Sequence, residues 1–202
     1  SPKGQKEMSL PSVRGLQRAR YVASDLSVME KLSFELPEDA TNQDPFNGGS
    51  GVRTFLVDVP ANAVGLFAQT TESLANDIDL FVGLDLNGDG IAQESELVCE
   101  STTPDAFEDC WISKPSAGQW WILVQNWAAS VSAASDAVRL RYGVAEQAED
   151  PVVFVAGPGT HPGGPLDLEV YFDVPTFKVG EERIGAVEIL NGLDDNASLV
   201  TS

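Results

Sequence analysis

Between Asp77 and Glu96 the chain changes character halfway. Ile78, Leu80, Val82 and Leu84 alternate with Asp77, Asp79, Phe81 and Gly83, the two-residue period of a half-buried strand. The next twelve residues are dense in oxygen. Asp85, Asn87, Asp89, Gly90 and Glu96 fit the spacing D-x-[DN]-x-[DN]-G-x5-E, in which side chains at alternate positions converge on a hard cation. Gly88 and Gly90 permit the sharp turn this needs, Ile91 would add its backbone carbonyl, and Glu96 a bidentate carboxylate. The expected metal is calcium. A strand precedes the loop where an EF-hand has a helix, and Ala92 stands where that motif carries a larger hydrophobe. The expectation is therefore a calcium-type loop on a β-hairpin, with an acidic turn that binds no metal as its alternative. Its carboxylates repel one another, so the reading assigns to the ion the work of gathering them. Asp77 and Asp79 point the same way along the strand and would ligate a second cation or form the outer shell of the first.

The same period recurs elsewhere. Arg53–Val59, Val64–Thr70, Gly118–Asn126 and Ala137–Tyr142 read as strands, with Trp111-Ile112 as a short one. No helix-period stretch of any length interrupts them. The fold class expected is all-β, an antiparallel sandwich with a second, smaller β-sandwich-like region. The organisation expected is an N-terminal segment over 1–48, the main sandwich over 49–145 and the second region over 150–202, where Val152–Ala156, Leu166–Asp173 and Arg183–Leu190 look extended. Ser12–Ala23 and Leu32–Pro37 read as strands too, and Leu26–Leu32 as a strand or a short helical turn. Four strands make a thin core, so strands from residues 10–36 are candidates to complete the second region.

Charge narrows the possible partners. The net charge is −19; residues 1–31 carry six basic against three acidic residues, so the segment is +3 and the remainder −22. Such a field repels nucleic acid and anionic membranes, and no apolar run approaches the roughly 18 residues that would span a bilayer. Ser1-Pro-Lys-Gly-Gln-Lys-Glu7 has no apolar centre, so a removed leader or an excised piece of a longer chain is expected. Cys99 and Cys110 lie in a polar segment and, with His161 the only histidine, make no zinc site. They form a disulfide or are two buried free thiols, and the disulfide suits the extracellular look of the chain.

Hydrolytic machinery is not legible. Nucleophilic catalysis needs a base beside the nucleophile, and His161 sits in the turn Gly-Thr-His-Pro-Gly-Gly. Gly48-Gly-Ser-Gly-Val52 lacks the last glycine of a nucleophile elbow. Trp120, Trp121 and Trp127 would make a stacking platform or a core; Trp120 or Trp121 reads as core, and Trp127 stays a candidate ligand-binding residue.

Asp77-Ile-Asp-Leu-Phe-Val82, the calcium-type loop, the cysteine pair and Pro115-Ser-Ala-Gly-Gln-Trp-Trp-Ile-Leu-Val-Gln-Asn126 together resemble the bacterial pre-peptidase C-terminal (PPC) domain over residues 50–143. This version is similar to domains that follow the catalytic unit of secreted subtilisin-like serine proteases, and residues 151–190 look like the fibronectin-III-like segment that can come after. The resemblance implies a jelly-roll-like sandwich, calcium-stabilised, outside a bacterial cell and not catalytic. Its partners would be the protease catalytic domain of the same parent chain and a polymeric protein substrate. Its roles would be secretion, stability or substrate binding. The alternative is a stand-alone extracellular module that binds polymeric protein or carbohydrate through exposed aromatics.

Overall fold

Alternating apolar and polar residues bury one face of a strand and leave the other to water. This pattern governs the chain in the computed structural model, which describes residues 3–131, 134–147, 152–174, 177–192 and the backbone of 198–200. The fold is an all-β antiparallel sandwich. Among the described residues there is no α-helix, only the single turns Pro45–Asn47 and Glu94–Glu96, so none is long and apolar enough to cross a membrane. The chain divides into two units, residues 29–144 and residues 1–28 with 145–202.

The outer-sequence unit holds β1 (Lys3–Val13), β2 (Ala19–Ala23) and β3 (Ser27–Val28). The middle unit holds β4 (Glu30–Leu36), β5 (Val52–Val59), β6 (Ala63–Ser73), β7 (Asp77–Leu84), β8 (Leu97–Ser101), β9 (Asp109–Ser113), β10 (Gly118–Ala128) and all but the end of β11 (Asp136–Glu146). The first unit then resumes with β12 (Val153–Ala156), β13 (Gly164–Asp173), β14 (Arg183–Ile184), β15 (Val187–Asn191) and β16 (Ser198–Val200).

In the middle unit two four-stranded sheets, ordered β5-β10-β7-β8 and β4-β11-β6-β9, enclose one core. Successive strands mostly switch sheets, as in a jelly roll. Ile78, Leu80 and Val82 of β7 and Trp120, Ile122 and Val124 of β10 face Leu66, Ala68, Ile112, Val138 and Leu140 from the other sheet. The opposite face of β7 and β10 is buried as well. Phe81, Trp121 and Leu123 lie under Ala92 and Leu97 from the loop side and under Phe46, whose ring meets Phe81 at 5.8 Å and Trp121 at 6.0 Å. Both tryptophans of the pair are therefore core, where the sequence pointed to one of them. A sheet covered on both faces has no solvent side for the second ring to occupy.

In the other unit the N-terminal strands supply what the C-terminal ones lack. β1 runs along β13 from Lys3↔Asp173 to Leu10↔Leu166, β2 pairs with β15, and β3 with β14. Met8, Leu10 and Leu16 pack on Leu166, Leu168, Val187 and Ile189. The stretch Leu26–Leu32 is extended, not helical, and passes into β4, which pairs with β11. Arg183–Leu190 breaks at Gly185-Ala186 into β14 and β15. There Ala186 N–H donates to Ser24 Oγ, and a methyl at Gly185 would press on Leu26.

Candidate functional site

The oxygen-rich loop grows directly out of β7. Asp85 N–H donates to the Gln119 carbonyl at 3.0 Å, tying the loop's first residue to β10. Gly88 and Gly90 take φ of +73° and +70°, the left-handed region that costs other residues strain, and these two positions let the chain reverse. The side chains predicted as ligands fold back onto the loop's own N–H groups. Asp85 accepts from Gly88 N–H at 2.7 Å on Oδ1 and from Gly90 N–H at 2.9 Å on Oδ2. Asn87 Oδ1 accepts from Asp89 N–H at 2.9 Å, and Asp89 Oδ1 from Ile91 N–H at 2.8 Å. Asn87 Nδ2 and Gln93 Nε2 both donate to Asp89 Oδ2 at 2.9 Å.

Glu96 closes the loop differently. It is buried; Oε1 accepts from Leu86 N–H at 2.9 Å and Oε2 from the Trp121 indole N–H at 3.0 Å. Ala92 packs beneath the loop beside Trp121 while Ile91 stands 60% exposed, so the motif's hydrophobic position is filled by a small side chain lying close to the sheet. The sequence assigned the gathering of these carboxylates to an ion. Here backbone amides, one glutamine and one indole already gather them, since each ionised oxygen gains from an N–H aimed at it.

Does the donor set suit a cation? Its chemistry does: every predicted ligand atom is an oxygen, and an oxygen that accepts one N–H keeps a second lone pair. Between Arg53 and Lys114 the sequence holds twelve acidic residues and no basic one. The geometry is more demanding. Among the described residues no three Asp, Glu, His or Cys side chains group so as to hold a metal. Asp85, Asn87 and Asp89 line the loop, while Glu96 is turned to Leu86 and Trp121.

Asp77 and Asp79 lie at the other end of β7. Asp85 comes six positions after Asp79, about 20 Å of extended chain, so they are not an outer shell of the loop. Asp79 is 7% exposed; burial, then the charges of Asp77, Glu108 and Glu100, push its pKa up to about 7. Burial, then Glu108 and Asp105, also raise that of Asp77. Glu108 is itself buried and accepts from Thr103 N–H at 2.8 Å and from the hydroxyls of Ser101 and Thr103.

Cys99 on β8 and Cys110 on β9 form a disulfide, which ties one sheet of the sandwich to the other just past the loop. Trp127 sits half-buried at a bulge in the β10–β7 ladder, with Asn42 Nδ2 donating to its carbonyl at 3.2 Å. The exposed aromatics are Phe107, Phe154, Tyr171 and Phe177, and none of the four tryptophans is among them. His161 forms an isolated bridge with Leu16, its Nε2 3.3 Å from the Gly164 carbonyl oxygen.

Sequence reasoning did not single out Gln125 and Asp39. Gln125 is fully buried opposite Asp79 and donates to Asp39 Oδ2 at 2.7 Å. The available signal was a pair of amides, Gln125-Asn126, ending an otherwise apolar strand. Comparison with protein-family models and with curated proteins finds no match to this chain.

Proposed function

We propose that this chain is a non-catalytic, calcium-stabilised accessory region of a secreted subtilisin-like serine protease, acting in secretion, stability or substrate binding. The observation that carries the reading is the loop: Asp85, Asn87 and Asp89 are folded inward at alternate positions on a strand-borne turn, in the longest stretch of chain without a basic residue. Asp85, Asn87 and Asp89, the Ile91 carbonyl and Glu96 would hold the ion, which would neutralise their mutual repulsion. The disulfide supports an oxidising compartment. The two strand motifs behind the PPC resemblance, Asp77–Val82 and Gly118–Asn126, lie side by side as the central pair of one sheet. The alternative, a binding module, rests on exposed aromatics; Phe107, Phe154, Tyr171 and Phe177 are exposed, while Trp127 is half-buried.

A ligand that binds only the folded state raises its melting temperature. Melting in millimolar calcium against excess EDTA should give a higher midpoint with calcium, and Asp89→Ala should reduce the difference. Equal midpoints for the native chain would refute the calcium reading. The protease reading has its own test: the parent reading frame upstream of Ser1 should encode an Asp-His-Ser catalytic unit, and any other kind of domain there would refute it.

A further inference from the structure

The buried end of β7 carries more acceptors than donors. The Asp79 side chain is 7% exposed, and among the described residues no hydrogen bond to its carboxylate is found. Asp77 Oδ1 is buried and unpartnered. Directly across the ladder from Asp79 stands Gln125, 0% exposed, whose Oε1 is also buried and unpartnered.

The orientation of that amide is fixed. Its nitrogen donates to two acceptors, Asp39 Oδ2 at 2.7 Å and the Asn42 carbonyl at 3.1 Å, so a flipped amide would set oxygen against oxygen. The segment carrying these acceptors lies along the edge of β10 away from β7: Asp39 N–H donates to the Asn126 carbonyl, and Asn126 N–H to Gly51. Gln125 Oε1 is left buried without a partner on the sheet face that Gln125 shares with Asp79, its partner across the ladder. Each of the charges acting on Asp79 (Asp77, Glu108 and Glu100) is negative. Acceptors buried together without a donor cost free energy until something positive joins them.

We infer that Asp77, Asp79 and Gln125 form a binding site for a hard divalent cation, of which calcium is the representative, separate from the loop at Asp85–Glu96. Two carboxylates and an amide oxygen make a hard-ligand set, with water completing the shell at half-exposed Asp77. Asp39 acts as a positioning residue, holding the Gln125 amide so that its oxygen faces the site.

Calorimetric titration of the full chain with calcium chloride separates this site from the loop. A chain carrying Asp85→Asn should still bind one calcium, and adding Asp79→Asn should abolish that binding. Should the loop bind no ion, the native chain would bind one calcium that Asp85→Asn leaves intact and Asp79→Asn removes, so this site stands while the loop fails. The inference is overturned if the Asp85→Asn chain binds none, or binds equally well with Asp79→Asn. Near-UV circular dichroism checks folding. If Asp79→Asn unfolds the chain, the half-exposed Asp77→Asn takes its place, with at least a tenfold loss of affinity expected and an unchanged affinity overturning the inference.

Discussion

Glu96→Ala asks whether the loop is held to the sheet by the contacts described above. Glu96 is 4% exposed and Trp121 is fully buried, so truncation leaves the Trp121 indole N–H without the acceptor it has at 3.0 Å. An unpaired buried donor costs about 1–3 kcal/mol. The Leu86 N–H also loses its partner at 2.9 Å, but the exposed Leu86 lies where water can replace it, and that loss is about 0.5–1 kcal/mol. Together these give about 2–4 kcal/mol. With a urea slope of about 2 kcal/mol/M, the unfolding midpoint should fall by about 1–2 M. The measurement is made in excess chelator, so that no bound ion contributes. Glu96→Gln keeps one acceptor oxygen and should fall between the two. A shift below about 0.3 M for Glu96→Ala would refute the claim that Glu96 pins the loop through Trp121.

Three further outcomes follow from the same geometry. A methyl at Gly83 would lie 2.5 Å from the Glu96 carbonyl oxygen and closer still to the Trp121 ring, so Gly83→Ala should destabilise by about 1–3 kcal/mol in urea; a neutral result would contradict the close approach of loop and strand. Replacing Cys99 and Cys110 by serine opens a closed loop with a sequence separation of 11 and should cost about 3 kcal/mol, checked by the same unfolding curves. Burial would raise the pKa of Asp136, but hydrogen bonds from the Ser130 hydroxyl and N–H and from Asn126 outweigh it and hold it below the usual carboxylate range. Its stabilisation is thus present above the unfolded-state value of about 4 and lost as pH falls through the lower folded value; Asp136→Asn should lower stability at pH 7 and flatten the acid limb of a urea-midpoint profile.

What the sequence made legible was local. Strands such as Val52–Val59 bury alternate residues in the core, and that alternation is visible residue by residue. The oxygen spacing of Asp85, Asn87 and Asp89 also lies within one turn. β1 was not legible, because only Met8 and Leu10 of its eleven residues bury an apolar side chain and its partner β13 lies far along the chain. Nor was the fold-back of the loop over Phe81, Trp121 and Leu123, which turns an apparent solvent face into a second core and sets Glu96 against an indole. The pairing of Gln125 with Asp79 depends on the β7–β10 register, and the fixing of its amide depends on Asp39, 86 residues earlier. Neither is a property of any short window of sequence.

The central claim, that the loop beginning at Asp85 is a calcium site, meets its most direct test in isothermal titration of the chelator-stripped full chain with calcium chloride. The account predicts saturable heat, with one equivalent of it lost on Asp85→Asn. No heat from the native chain at millimolar calcium, or heat undiminished by Asp85→Asn, would contradict it.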